Sequence, residues 1–251
     1  MSTLLLRLAA PLQSWGVDSK FERRTTGRTP SKSGVIGMCA AALGVRRHED
    51  EMIEKLTRLR FGVRIDQTGT LLKDFHMAHD DSFWGTGDRS KINREKKGSS
   101  YLTTRYYLSD AVFLAGLEGD EDLLMEIDMA LRNPVFPLYL GRRSCPPEGR
   151  VSLGVVSATL QDTLENHPQI SKIQQKNITS QGRMRVVIDS DISSGDNAHR
   201  STYLVHDTPK SFNPEHRKYD SRSVFEFVTA IPVTTKEHDA IAAVEEVSPC
   251  T

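Results

Sequence analysis

The stretch "SGVIGMCAAALG", from Ser33 to Gly44, is the segment from which the fold of this 251-residue chain can first be inferred. Apolar residues from Val35 to Leu43 fall on nearly every face of a helix, which is typical of a helix buried inside a domain. Ser33 is the predicted N-cap, because a serine hydroxyl accepts a hydrogen bond from the first helical turn. Gly44 is the residue predicted to end the helix.

The segments on either side of this helix show further strand and helix patterns. The predicted order is a strand at Leu4–Leu8, the buried helix, an amphipathic helix at Met52–Leu59, strands at Phe61–Ile65 and Ala111–Leu117, a helix at Asp120–Arg132 and a strand at Val151–Val156. This order predicts an α+β fold with a ferredoxin-like (RRM-like) βαββαβ core.

The pattern weakens after about residue 160, so we divide the chain into residues 1–158 and 159–251. Short strands are predicted at Met184–Ile188, Thr202–Val205 and Val224–Ile231. These strands form either a small β-rich second unit or an extension that packs back on the first part.

The composition indicates no cofactor and no membrane partner. Lysine plus arginine equals aspartate plus glutamate, at 33 each, so the overall charge selects no ligand. The three cysteines are far apart and form no CxxC pair, so neither a zinc site nor a disulfide framework is predicted. No signal peptide or membrane-spanning stretch is recognised, and we expect a cytoplasmic protein.

The basic stretch "RRTTGRTPSKSGVIG", Arg23 to Gly37, resembles a phosphate-binding loop. It fails as a nucleotide loop because Ser31 replaces the second glycine and Pro30 removes a backbone donor. The N–H groups of residues 33–36 at the helix start still favour an anion, and the basic side chains around them favour a nucleic-acid phosphate. The alternative is a solvated basic loop above a core helix.

Residues 73–107 are predicted to be a long, mostly irregular insert, which is typical of a functional or a disordered loop. Its second half carries six cations against two acids, with aromatic residues at its borders. Cations follow phosphates and aromatic rings stack on bases, so this pattern indicates binding of single-stranded RNA or DNA. The alternative is a disordered surface loop.

Two further motifs allow both a functional and a structural interpretation. In "YLGRRSCPPEG", Tyr139 to Gly149, the tandem arginines Arg142 and Arg143 suit phosphate or base contacts, or else pair with acids. His76 and His79 are three residues apart, which is weak evidence for a metal site because no third ligand is near. A metal-independent ribonuclease could use His76 with a tyrosine or lysine of the insert.

Four motifs together resemble a known family. They are "LLLRLAAPLQSWG" at Leu4–Gly16, "PSKSGVIGMCAAALGV" at Pro30–Val45, "TTRYYLSDAVF" at Thr103–Phe113 and "YLGRRSCPP" at Tyr139–Pro147. In this order they resemble the CasD family, the "Cas five" subunits of the type I-E CRISPR surveillance complex Cascade, within the RAMP superfamily. The resemblance covers most of the first 155 residues and no motif beyond about residue 160.

The resemblance implies a role that composition does not. Members of this family are non-catalytic subunits that bind and cap the 5′ handle of the CRISPR RNA in antiviral defence. They contact the CasC backbone and the CasA large subunit, and act on target DNA through the complex. In the related type I-C systems the corresponding protein is an endoribonuclease that processes the precursor RNA, and this is the alternative function.

The resemblance also places candidate RNA-binding residues on this chain. The long insert corresponds to a basic thumb at about Ala78 to Ser100, with Lys91 and Arg94 within it. Arg105 stands where the family places an arginine before the next strand, and is the foremost candidate. The full set comprises Trp15, Lys20, Arg28, Lys32, Ser33, Lys91, Arg94, Arg105, Tyr106, Arg142 and Arg143. No catalytic residue and no metal ligand is assigned.

Overall fold

A computed structural model describes residues 1–16, 23–79, 100–171, 183–190 and 201–230 of the chain. The strands are β1 (Ser2–Ala9), β2 (Leu12–Gln13), β3 (Arg23–Arg24), β4 (Arg60–Gln67), β5 (Thr70–His79), β6 (Ser100–Ser109), β7 (Val112–Gly119), β8 (Ser152–Val156), β9 (Arg183–Asp189), β10 (Ser201–Ser211) and β11 (Lys218–Ala230). The helices are α1 (Lys32–Leu43), α2 (Asp50–Thr57), α3 (Glu121–Arg132) and α4 (Leu160–Asn166). Within these residues no helix is both long and apolar enough to cross a membrane.

The main sheet has seven strands in the order β10-β11-β9-β4-β7-β1-β8, and its neighbouring strands are antiparallel. The protein therefore has a mixed α and β architecture with a mostly antiparallel sheet, as the sequence predicts at that level. The three C-terminal strands continue this sheet, because β9 pairs with β4 through Val187 opposite Val63.

The two faces of the main sheet are covered by different helices. Leu4, Leu6 and Leu8 of β1 are buried in the larger core cluster, together with residues of α1, α2 and α3. On the opposite face, Leu160 and Leu164 of α4 pack in a smaller cluster with Leu5 of β1 and residues of β7, β9 and β11. The short helix α4 is not predicted from the sequence.

Helix α1 begins two residues earlier than the sequence predicts. Ser31 is the N-cap, and its Oγ accepts a hydrogen bond of 3.2 Å from the N–H of Gly34. The prediction of Ser33 as the cap is therefore wrong, because the hydroxyl two residues earlier already satisfies this donor. Gly44 ends the helix in the left-handed conformation with φ of 79°, as predicted.

A smaller sheet stands where the sequence predicts a mostly irregular insert. Strands β5 and β6, ten residues each, pair antiparallel from Thr70 opposite Ser109 to His79 opposite Ser100. The irregular interpretation is wrong for residues 73–79 and 100–107, because many large apolar residues of this ribbon remain exposed and no alternation of buried and exposed residues marks the strands. Its exposed side chains include Leu71, Phe75, Met77 and Leu102. The cations Lys91 and Arg94, most of the predicted thumb and also Lys20 lie outside the described residues.

A buried ion pair attaches α4 to the main sheet. Arg64 on β4 is fully buried and pairs with the neighbouring Asp66 through Nε–Oδ1 and Nη2–Oδ2 contacts of 2.7 and 3.0 Å. Arg64 also donates to the carbonyls of Leu164, at 2.7 Å, and Pro168, at 2.9 Å, near the end of α4. A single side chain therefore satisfies both a buried carboxylate and carbonyls that the helix leaves unpaired.

Candidate nucleic-acid interface

The four motifs that carry the resemblance meet at one place on the protein. The N–H of Ser14 donates to the carbonyl of Leu140 at 3.1 Å, and the N–H of Gly27 donates to the carbonyl of Trp15 at 2.6 Å. Strand β3 pairs in parallel with β6, which sets Arg24 beside Arg105. Segments remote in sequence thereby form one surface, which contains several of the predicted RNA-binding residues.

Arg142 holds these segments together. Its Nη1 donates to the carbonyl of Tyr106 at 3.2 Å and its Nη2 to the carbonyl of Arg24 at 2.9 Å. Its guanidinium lies over the ring of Tyr107, with 4.7 Å between Cζ and the ring centroid. The side chain is half-buried, whereas the neighbouring Arg143 is exposed. Arg142 therefore fixes the surface from within, and Arg143 is the arginine of the pair that faces solvent.

Tyr107 places a hydroxyl among cations. Burial raises the pKa of the Tyr107 hydroxyl. The pKa is nevertheless below its usual value, because the lowering effects together are larger: hydrogen bonds with Ser144 and Arg142, the positive charge of Arg142 and a hydrogen bond with Arg105. Because Arg105 and Tyr107 are two residues apart on β6, their side chains lie on the same face of the strand. Sequence analysis identified the arginines but missed Tyr107 and Ser144.

Arg105 keeps an unused donor at this surface. It lies opposite Asp74 of β5 and its side chain is half-buried. Its Nε is buried without a hydrogen-bond partner among the described residues. A buried donor without a partner is costly, so a shift of the Arg105 side chain that brings its Nε to a ligand oxygen would be favourable. Guanidinium groups suit phosphate oxygens because their planar fork of donors matches phosphate geometry.

Trp15 lies beneath the surface and does not face solvent. Its side chain is 1% exposed, and its indole Nε1 donates to Oε1 of Gln13 at 3.0 Å. The ring also packs against Gly34, where an added Cβ would lie 2.9 Å from it. A base cannot stack on a ring in this position, so the prediction that Trp15 contacts RNA directly does not agree with its burial. Its observed role is to support the surface.

The start of α1 also differs from the predicted phosphate site, because an internal carboxylate occupies it. The N–H of Lys32 donates to Oδ2 of Asp207 at 2.7 Å, and the Nζ of Lys32 donates to Oδ2 of Asp189 at 2.9 Å. Ser33 is half-buried, with its Oγ 3.4 Å from that of Ser31. The positive end of the helix and the Lys32 ammonium are thus neutralised within the protein.

Arg222 completes this arrangement of charges. It forms a bidentate pair with Asp207, at 2.6 and 3.0 Å, and a contact with Asp189. We call Lys32, Asp189, Asp207 and Arg222 the charge ring. Sequence analysis missed it, because Lys32 is separated from Asp189 by 157 positions and from Asp207 by 175, and no motif marks the partners.

The cations that remain available define what we call the basic face. They are the exposed Arg24, Arg28 and Arg143, together with the half-buried Arg105. Tyr106 is half-buried at its edge. His76 is exposed on β5, on the ribbon face that also carries Asp74. In the described part of the chain no group of three or more histidine, cysteine, aspartate or glutamate side chains could hold a metal ion.

Comparisons with known proteins indicate one family. Residues 3–225 match the family model described as CRISPR-associated protein (Cas_Cas5). The chain is 34% identical over 170 residues to the "CRISPR system Cascade subunit CasD" of Escherichia coli (strain K12), covering 63% of this chain and 73% of that protein.

Two solved structures resemble the chain over almost its whole length. One, named "Crystal structure of Cas protein", has a TM-score of 0.66 and 35% identity, and the alignment covers 92% of this chain and 100% of that one. The other, named "CRISPR RNA-guided surveillance complex", has a TM-score of 0.71 and 32% identity, with 92% of each chain covered. At these identities the likeness extends beyond a shared architecture.

Proposed function

Since this chain belongs to the CRISPR-associated Cas5 protein family and is a Cascade subunit in CRISPR defence, we propose that it binds the 5′ handle of the CRISPR RNA on the basic face, without cleaving it. Other Cascade components and the CRISPR RNA are its partners. Capping of the RNA end by this surface is the specific part of the proposal.

The observation that carries this proposal is the donor of Arg105 that lacks a partner. Its Nε is buried beside Tyr107 and Arg142, at the junction of the motifs, and meets no acceptor in the described residues. An RNA phosphate would supply the acceptor, and the exposed Arg24, Arg28 and Arg143 would extend contacts along the strand. Binding of this kind depends on salt, because each neutralised phosphate releases counterions.

We extend the proposal to the fold and to the protein partners. The order β4-β7-β1-β8, with α1 and α3 on one face, agrees with a ferredoxin-like βαββαβ unit.

The apolar side chains Phe75, Met77 and Leu102 on the β5–β6 ribbon are exposed. We propose that this ribbon contacts the CasC backbone, that the CasA large subunit lies near the handle, and that target DNA is met through the complex in the cytoplasm.

Replacing Arg105 with alanine is expected to weaken binding of the 5′-handle RNA by about 5- to 150-fold. The slope of log K against log salt should fall by about 0.7, because one phosphate contact of a single strand is lost. Filter binding over a range of salt concentrations measures both. Arg58→Ala is the control, since Arg58 is exposed at the C-cap of α2 in a surface ion pair, and its replacement should leave both quantities unchanged. Unaltered affinity and slope in Arg105→Ala would contradict the proposal.

The absence of cleavage is tested by incubating the purified protein with repeat RNA in EDTA. We expect the RNA to remain intact over hours, because the cations of the basic face bind a strand, even though His76 is exposed on the ribbon that also carries Arg105. Cleavage at one site, lost in His76→Ala and retained in His48→Ala, would favour the endoribonuclease alternative instead.

A further inference from the structure

The charge ring is a closed and electrically balanced cluster. Asp207, 3% exposed, accepts from the N–H of Lys32 and from Nε and Nη2 of Arg222. Asp189 accepts from the Nζ of Lys32, from Arg222 and from the N–H of Phe61 at 2.9 Å. Two cations and two carboxylates therefore neutralise each other, and all their charges are largely removed from water.

The charge ring joins the three C-terminal strands of the main sheet to the start of α1. Asp189, Asp207 and Arg222 belong to β9, β10 and β11, at one end of the main sheet. Lys32 is the first residue of α1. The C-terminal strands consequently hold the beginning of α1 through charge-assisted hydrogen bonds, which are stronger and more directional than neutral ones.

A series of direct contacts leads from the start of α1 to the basic face. Gly34, in the first turn, packs on the ring of Trp15. The N–H of Trp15 donates to Oγ1 of Thr26 at 2.9 Å, and its carbonyl accepts from Gly27 at 2.6 Å. The same segment presents the carbonyl of Arg24 to Arg142. The position of residues 24–27 thus depends on Trp15, and the position of Trp15 depends on the first turn of α1.

We infer that Asp207 is a positioning residue for RNA binding: by holding the first turn of α1, it fixes Trp15 and the segment that carries Arg24. It does not touch the RNA. This inference rests on the proposed function, because it concerns the affinity of the same basic face. It also assigns a function to the C-terminal strands, which carry none of the RNA-binding residues that the sequence suggests.

The competing interpretation is that Asp207 occupies a phosphate-binding site, which an RNA phosphate fills in the complex. Both the positive end of α1 and Lys32 would then become available to the RNA. The two interpretations predict opposite changes when the carboxylate is removed. If Asp207 positions α1, its removal should weaken RNA binding without changing the slope of log K against log salt. If Asp207 occupies a phosphate-binding site, its removal should tighten binding and make that slope steeper.

The test uses the full chain and a single-stranded RNA with the sequence of the 5′ end of its own CRISPR RNA. Asp207→Asn is expected to raise Kd by about 3- to 30-fold at an unchanged salt slope. Titration at high protein concentration gives the fraction of binding-competent protein. A merely unstable variant would lower that fraction and leave Kd unchanged, whereas a positioning defect raises Kd of the folded protein.

Because Asp207→Asn leaves Arg222 with one carboxylate fewer, a second variant guards against failure to fold. Asp207→Ala combined with Arg222→Met leaves Lys32 paired with Asp189 and still removes the carboxylate that holds α1. It should show the same rise in Kd. Asp220→Asn is the matched control, since Asp220 lies on β11 in an exposed pair with Lys210 and should bind RNA as the wild type does.

The outcomes separate the inference from the proposed function. If the wild type fails to bind the RNA, the proposed function is overturned and the inference with it. If the wild type binds and both Asp207 variants bind equally well, only the inference is overturned. Tighter binding with a steeper slope also overturns the inference, in favour of an occupied phosphate-binding site. In an Arg105→Ala background the effect of Asp207→Asn should shrink, because both act on one contact surface.

Discussion

Replacement of Arg64 by methionine is expected to lower the free energy of unfolding by about 3–5 kcal/mol, the usual cost of removing one member of a buried ion pair. Asp66 would keep its charge in a fully buried position without its partner. The carbonyls of Leu164 and Pro168 would lose their donor at the same time. The loss should release α4 from the sheet before the rest of the protein unfolds.

Urea denaturation followed by circular dichroism measures the predicted loss of stability. Arg58→Met is the control, since Arg58 is 77% exposed in its side chain and its ion pair with Glu54 contributes only about 0–1 kcal/mol. A second variant, Arg64→Met with Asp66→Leu, should recover part of the loss, because it removes the unpaired carboxylate. Stability of Arg64→Met within about 1 kcal/mol of the wild type would show that the pair is not what anchors α4.

Replacement of Gly141 by alanine should disrupt the basic face more than any other single methyl group. Gly141 has φ of 89°, and an added Cβ would lie 1.6 Å from the carbonyl oxygen of Ser14. The left-handed conformation alone costs a residue with a Cβ about 1–2 kcal/mol. The overlap with a backbone atom forces the loop away from Ser14, and Arg142 then leaves the carbonyls of Tyr106 and Arg24.

Gly149→Ala is the control that separates these two effects. Gly149 also has positive φ, at 71°, but its added Cβ would meet nothing closer than Arg7 Nη1 at 3.8 Å. We expect Gly149→Ala to lose only the stability that corresponds to backbone strain and to keep the wild-type RNA affinity. Gly141→Ala should lose more stability and bind RNA at least about tenfold more weakly. Thermal unfolding and RNA titration give both values, and equal behaviour of the two variants would refute the explanation.

The elements that the sequence predicted well are those with a large buried surface. Leu4, Leu6 and Leu8 alternate because they line the face of β1 that packs in the larger core cluster, and α1 is apolar throughout because other elements surround it. The β5–β6 ribbon was missed because most of its side chains are exposed or half-buried, and its two buried residues, Tyr107 and Leu108, are adjacent in sequence, so burial imposes no alternating period. Helix α4 is only seven residues long, and its two core leucines are too few for a helical period to stand out.

The sequence predicted the residue types of the candidate site but not which of its side chains are buried. Arg105 and Arg142 do meet at one surface, since the motifs that contain them converge there. Lys32 was counted among the surface cations because its partner Asp189 lies in a remote strand, and a sequence does not show such pairs in advance. Trp15 has the side chain expected of a stacking platform, yet Gln13 and Gly34 enclose it. Direct contact between RNA and the remaining candidates stays a prediction.

The charge ring has a consequence for the timing of biosynthesis. Lys32 and Asp207 are 175 positions apart, so the ring cannot close while the ribosome is still making the C-terminal strands. At about 5–20 residues per second, translation of the intervening chain takes roughly 10–35 s. In the last part of that interval the nascent protein already carries Arg105, Arg142 and Arg143 but has not fixed the start of α1. If the proposed function is correct, a correctly shaped surface for the guide therefore exists only after the C-terminal strands have been made.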